Sequence, residues 1–322
     1  MKEKIHTPAF LPVGFVIMAL MIYESFLQRI SPGGTGLGML AAAAAGAAVA
    51  GAGIGGLRYV TSVEPANVEV KEVRLTLPHL TPAFNGLRLV QISDIHLGGW
   101  MNRQRLDRVV QLALDQPADV YLLTGDYLIG YGWSPERAAL LDEMAESLTP
   151  LSQAAPVLGI LGNHDVRSSA RAVRDMFTRA GVVDLSNTVY TLRRSAPSGE
   201  AEQFHIAGVD DYYTGKARLK RVLRRLPETG GAILLAHEPD YADISAATGR
   251  FDLQVSGHTH GGQIVLPGGA PFALPRYGRK YPSGLYRVGE MWQYTNRGVG
   301  MGRFAVRFNC RPEISVFVLE KA

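Results

Sequence analysis

Five short blocks of the chain carry side chains suited to holding cations: Asp94-Ile95-His96, Gly125-Asp126, Gly162-Asn163-His164-Asp165, Ala236-His237 and Ser256-Gly257-His258-Thr259-His260. Carboxylate, imidazole and amide donors without sulfur suit Mn, Fe, Zn or similar divalent ions. Cys310 is the only cysteine, which excludes an intrachain disulfide and every multi-cysteine zinc or iron–sulfur centre. Taken singly, Asp94 and Asp126 read as helix caps, Asn163 as a turn residue and His237 as a core histidine before Glu238-Pro239. Together, with an apolar run ahead of each block, they read as one site.

Such donors must be delivered to a common edge, and α/β sheets place ligands at the carboxyl ends of their strands. The apolar runs fit that demand. Leu87 to Ile92, Val120 to Leu123 and Val157 to Leu161 predict buried strands. Earlier, Val68 and Val70, then Val73, Leu75 and Leu77, alternate with a phase slip at Lys71–Glu72, which predicts a strand with a bulge. Between the strands, Asn102 caps a helix with Leu106, Val109, Val110 and Ala113 at helical spacing. Ser134-Pro135 opens a second, with Leu140, Leu141, Met144 and Leu148 inward, and Ser169 to Ala180 forms a third, stopped by Gly181. This alternation predicts stacked α/β layers, and the strand-rich later half predicts a second sheet.

With 47% hydrophobic and 19% charged residues over 322 positions, the chain is no disordered polyelectrolyte. Charge is scarce in the first 64 residues. Ile5 to Tyr23 is a run of 19 uncharged residues and Ile30 to Leu57 one of 28, against the roughly 20 that a spanning helix needs. Residues 1–64 therefore predict a membrane anchor of one or two helices, with a cleaved signal peptide as the alternative for the first run and a Gly/Ala linker for the second. Residues 65–322 predict a water-soluble domain. Lys2 and Lys4 favour a cytoplasmic amino terminus, and two spans would return the domain to the cytoplasm. A formal charge of +4 is mild, and with no RNP-like aromatic pair, zinc finger or helix-turn-helix signature, no nucleic-acid partner is expected.

The order D-x-H, G-D, G-N-H-[DE], lone His, G-H-x-H resembles the calcineurin-like metallophosphoesterases, over residues 86 to about 320. Within that family the chain is similar to membrane-anchored bacterial phosphodiesterases related to UDP-2,3-diacylglucosamine hydrolases. The residues that carry this are Ser256-Gly-His-Thr-His-Gly-Gly-Gln263, Gly278-Arg-Lys-Tyr281, Gly284-Leu-Tyr286 and Arg307-Phe-Asn-Cys-Arg-Pro-Glu313. The resemblance implies an α/β fold, a four-layer αββα sandwich of two mixed sheets, with a transmembrane helix or helical hairpin ahead of it. It implies two divalent ions of the Mn, Zn or Fe class. Asp94, His96 and His260 would hold one ion and Asn163, His237 and His258 the other, with Asp126 shared. His164 is expected as general acid for the leaving oxygen, with Asp165 orienting its imidazole.

The expected reaction is hydrolysis of a phosphodiester or pyrophosphate, on a membrane-associated and lipid-linked substrate such as UDP-2,3-diacylglucosamine, at a bacterial inner membrane with the catalytic domain facing the cytoplasm. Two alternatives are a catalytically silent metal-binding interaction module on the same fold and a broad-specificity phosphomonoesterase. The pairing of His164 with Asp165 beside a full ligand set speaks against the silent module. Asp165, where Ser/Thr protein phosphatases have Glu, speaks against a protein phosphatase. Tyr127-Leu128-Ile129 follows Asp126 where many relatives carry another acidic residue. Arg276, Arg279 and Lys280, in a loop with Pro267, Pro271, Pro275 and Pro282, are the expected substrate-reading cations. The run from Lys216 to Arg225 predicts a helix with a solvated basic face.

Overall fold

The computed structural model describes residues 51, 53–196, 199–302 and 304–322. The first predicted span and most of the second lie outside the described residues. No helix among the described residues is long and apolar enough to cross a membrane. Residues Glu64–Ala322 form a compact unit of their own, which holds all five donor blocks and the strands that lead into them.

Twelve strands among the described residues make two mixed sheets of six. In chain order they are β1 (Glu69–Leu77), β2 (Leu87–Ile92), β3 (Val120–Leu123), β4 (Val157–Gly159), β5 (Val182–Asp184), β6 (Thr188–Ser195), β7 (Ala201–Gly208), β8 (Gly231–Leu235), β9 (Leu253–Ser256), β10 (Gly284–Val288), β11 (Met291–Thr295) and β12 (Glu313–Lys321). The first sheet runs β1-β12-β2-β3-β4-β5 and the second β10-β11-β9-β8-β7-β6. Neighbours β2, β3 and β4 are parallel, as are β7, β8 and β9. Their carboxyl ends are therefore level, and the blocks after them stand side by side.

One apolar core lies between the sheets: Leu89, Leu122 and Leu158 from the first pack in a cluster with Phe204, Ile233, Leu235 and Leu253 from the second. Each such buried side chain contributes about 2 kcal/mol by leaving water, so the two strand-end rows are pressed together by a large apolar contact. A second core joins the first sheet to α1 (Arg103–Leu114), α2 (Pro135–Ala154) and α3 (Asn163–Ala180). A third joins the second sheet to the short helices α4 (Leu219–Leu223) and α5 (Ala242–Ala246). Asn102 caps α1 as expected, its side chain accepting the N–H of Arg105 at 3.0 Å.

Three expectations need correction. β1 carries no bulge: it pairs with β12 in unbroken parallel register from Glu69↔Glu313 to Leu77↔Lys321. The phase slip arises because Val70 faces outward while Lys71 takes the inward phase, with its Nζ 5.7 Å over the centroid of the Tyr294 ring. The helix expected from Ser169 starts at Asn163 and breaks at Ser169, where φ −163° and ψ 94° interrupt it and Ser169 Oγ accepts the Ala172 N–H. The basic run from Lys216 to Arg225 is helical only over Leu219–Leu223.

Candidate metal centre

At the level ends of β2, β3 and β9 the backbone turns through conformations that side chains disfavour. Asp94, His96, Asp126, His258 and His260 all have φ between 50° and 72°, and they are five of nine such non-glycine residues among those described. Each left-handed residue costs on the order of 1–3 kcal/mol and persists only where its surroundings over-determine it. The surroundings here are close backbone contacts. A Cβ on Gly257 would lie 2.0 Å from Ser93 Oγ and 2.3 Å from Asp94 Oδ2, and one on Gly162 would lie 2.3 Å from Asp126 Oδ1. Hydrogen bonds lock the turns to one another: Asp94 N–H to Gly125 O at 3.0 Å, His96 N–H to Asp126 O at 3.1 Å, and Gly257 N–H to His237 O at 3.1 Å.

The side chains converge in three groups whose ligand atoms lie within 4.8 Å of one another: Asp94, His96 and His260; His96, Asp126 and His164; and Asp126, His237 and His258. Asp126 Oδ2 is the hub, 3.2 Å from His237 Nε2, 3.6 Å from His96 Nε2 and 3.9 Å from His164 Nε2. On the other flank, Nε2 of His96 and of His260 face each other at 3.0 Å, with Asp94 Oδ1 3.6 Å from the latter. The N–H of His258 reaches both Asp94 oxygens at 3.0 Å, and Ser93 Oγ donates to Oδ2 at 2.6 Å.

These residues fit divalent cations on several grounds. His237 Nε2 and Asn163 Oδ1 are buried without a hydrogen-bond partner, although a buried polar atom left unpaired costs about 1–3 kcal/mol. His237 Nδ1 lies 2.7 Å from Thr124 O, and His258 Nε2 lies 2.9 Å from Arg276 O. A carbonyl can only accept, so those nitrogens carry the protons and the opposite nitrogen of each ring presents a lone pair to the centre, the arrangement that ligating histidines adopt. Burial holds His96 neutral, its pKa pushed down to about 3, and lowers His258 to about 4 and His260 well below the usual range. His237 differs. Burial disfavours its charged form, but the Asp126 carboxylate more than offsets this, so a proton and a cation compete for Nε2.

The other expected residues take varied positions around this cluster. His164 is at the rim, with Nδ1 3.0 Å from Gly130 O, which fixes its proton there and turns Nε2 toward Asp126. Asp165 does not orient it. Its carboxylate accepts the N–H groups of Gly162, Asp126 and Tyr127, each at 2.8 Å. His164 and Asp165 are consecutive residues of α3, and neighbours on a helix point in different directions. Arg276 contributes its carbonyl to His258 while its guanidinium lies 4.4 Å over the Tyr277 ring. The N–H groups of Arg279 and Lys280 go to Asp240, and the Lys280 ammonium pairs with Asp243. Sequence reasoning missed Tyr131, which stacks on His164 at 4.5 Å, Tyr213, edge-on to His258 at 6.1 Å, and Arg167, which lies over both tyrosines. Their one local signal was aromatic residues in the segments after β3 and β7.

The chain matches the family described as Calcineurin-like phosphoesterase over residues 87–262. It is 34% identical to the protein named uncharacterized metallophosphoesterase YkuE of Bacillus subtilis, over 88% of this chain and 95% of that one. It is 29% identical to phosphodiesterase YaeI of Escherichia coli, over 82% of this chain and 93% of that one. A Danio rerio protein named transmembrane protein with metallophosphoesterase domain is 31% identical over 79% of this chain and 58% of its own length. On this sequence match, and with a donor set fit for cations, the chain belongs to the calcineurin-like phosphoesterase family and is a metal-dependent phosphoester hydrolase.

Proposed function

We propose that the chain is a phosphodiesterase or pyrophosphatase that works with two divalent ions of the Mn, Zn or Fe class on a membrane-associated substrate. Asp94, His96 and His260 would hold one ion and Asn163, His237 and His258 the other, with Asp126 common to both. One observation carries this reading: Asp126 Oδ2 stands between His96 on one flank and His237 on the other, and a carboxylate is the side chain able to serve two cations at once. Such ions, when bound, lower the pKa of water and stabilise charge on phosphoryl oxygens.

The protein's own groups supply the rest. Gly130 O keeps the Nδ1 proton of His164 in place, so in the imidazolium form the mobile proton sits on Nε2, from which it passes to the departing oxygen. The N–H of His164 donates to Asp126 Oδ1 at 2.8 Å, which leaves Oδ2 for the centre. The buried wall behind the site excludes water from Asp94, His96 and Asn163 and strengthens their hold on charge.

Membrane placement rests on the uncharged runs before residue 58 and on the name of the Danio rerio relative. On this reading residues 1–64 anchor the catalytic unit 65–322 to a bacterial inner membrane, facing the cytoplasm. There a lipid-linked pyrophosphate such as UDP-2,3-diacylglucosamine is within reach. The test is metal content and turnover of the detergent-solubilised full chain. After chelation, Mn or Zn should restore hydrolysis of a diester with about two ions per chain, and Asp126→Asn should lose both. Wild-type metal content and rate in Asp126→Asn would remove the assignment, and a chain that binds metal yet cleaves no phosphoester would favour the silent module.

A further inference from the structure

Arg167 is one helical turn beyond His164 on α3, and its guanidinium carbon lies 5.0 Å over the Tyr131 ring and 4.5 Å over the Tyr213 ring. The two tyrosines come from different sheets, Tyr131 from the segment after β3 and Tyr213 from the segment after β7. Each touches one imidazole of the centre: Tyr131 stacks on His164 with rings 27° apart, and Tyr213 meets His258 at 62°. The cation therefore closes the rim of the site on the His164 side. It forms no ion pair with a carboxylate among the described residues, and its side chain is largely exposed. The tyrosine side chains also hydrogen-bond the guanidinium, and because it carries five N–H donors, others remain to bind an anion as a planar fork.

We infer that Arg167 is a specificity-determining residue that binds a second phosphate on the leaving-group side of the substrate. The direction follows from His164, which gives its proton to the leaving oxygen, so a cation against the same tyrosine stands where the departing group lies. The inference rests on that role of His164. Its chemical content is that the enzyme favours substrates whose leaving group is itself anionic at the first atoms beyond the scissile bond, as in a pyrophosphate diester, over those with a neutral leaving group. The tyrosines act by fixing the guanidinium and limiting the rotamer entropy lost when the anion arrives.

The experiment compares Arg167→Gln and Arg167→Lys with wild type, in the solubilised, Mn-loaded full chain. The substrates are P1,P2-diadenosine pyrophosphate and bis(p-nitrophenyl) phosphate. Arg167→Gln should lower the ratio of kcat/KM for pyrophosphate over nitrophenyl diester by about ten- to a hundredfold, the range of one lost charged hydrogen bond. The loss should fall mainly on KM, and Arg167→Lys should recover part of it. Equal losses on both substrates would show that Arg167 only supports Tyr131 and His164, and would overturn the inference. So would a wild type that cleaves the nitrophenyl diester and ignores the pyrophosphate. A wild type inert on both would instead overturn the reading of the site on which the inference stands, and the inference with it.

Discussion

The carboxylate of Asp165 accepts the main-chain N–H of Asp126 at 2.8 Å, while the N–H of His164 donates to the side chain of Asp126 at the same distance. The turn after β3 and the start of α3 are thus latched in both directions, and Asp165 positions Asp126 rather than the imidazole beside it in sequence. Asp165→Asn keeps the shape but offers an N–H₂ to a cluster of N–H donors. Leaving buried donors unpaired costs about 1–3 kcal/mol each, and a domain of this size loses roughly 2–4 °C of Tm per kcal/mol. A fall of about 5–10 °C together with weaker metal retention is expected by thermal scanning and metal analysis. Unchanged Tm and metal with slow turnover would instead assign Asp165 to the proton chemistry of His164.

Gly257 is required by its neighbours rather than by its φ, since a Cβ there would overlap Ser93 Oγ and Asp94 Oδ2. Gly257→Ala should displace Asp94 and spare the interior. The expected result is native circular dichroism, loss of about one ion per chain and a 10- to 100-fold lower kcat/KM, the range seen when a ligand's support is removed. Two tightly held ions in the alanine variant would show that the turn can relax without moving Asp94.

Far from the centre, His205 on β7 is fully buried, with Nε2 2.9 Å from Thr229 O and Nδ1 2.9 Å from Thr191 Oγ1. Burial lowers its pKa below the ordinary 6.5. A depressed folded pKa means that the unfolded chain binds the proton more readily, so stability present above about pH 6.5 is lost as the pH falls toward the folded value. His205→Gln should show a shallower decline of Tm between pH 7 and pH 5 than wild type. Parallel declines would mean that His205 titrates alike in both states.

The gathering of the donor blocks into one cluster was legible because each block directly follows an apolar strand, so residue type and local order alone carry the information. The helix after Asn102 was legible for the same reason. What failed depended on direction or distance. Asp165 is adjacent to His164 in sequence, and only the helical rotation between them shows that they serve different partners. Arg167 meets two rings from separate sheets, a juxtaposition with no trace in any local pattern. Arg276 was expected to read substrate through its side chain; its carbonyl also holds His258, a main-chain role that leaves no mark on residue type. In β1 the alternation was misread because a lysine stem can occupy an inward position.

Arg307 shows how much of the site is held from behind. Its side chain is fully buried, and its guanidinium donates to the carbonyls of Arg297 at 2.8 Å, Gly298 at 3.0 Å, Gly300 at 2.7 Å and Cys310 at 3.0 Å. The segment so gathered lies against Asp94: Val299 N–H donates to Ser93 O at 3.0 Å, Gly300 N–H to Asp94 O at 2.8 Å, and a Cβ on Gly298 would come within 2.7 Å of Asp94 Cβ. Cys310 Sγ in turn donates to His260 O at 3.2 Å. One planar cation therefore braces the backbone around both Asp94 and His260. Arg307→Met would leave the carbonyls of Arg297, Gly300 and Cys310 without the guanidinium in the interior, at about 1–3 kcal/mol each, and should yield little folded protein. Arg307→Lys is the informative variant, because an ammonium on a shorter reach serves fewer carbonyls and lacks the fork geometry. It should fold with a Tm lower by several degrees, and metal titration should show one ion bound more weakly while the other is held as in wild type. A lysine variant with wild-type Tm and two equally tight ions would show that this segment keeps Asp94 and His260 in place without Arg307.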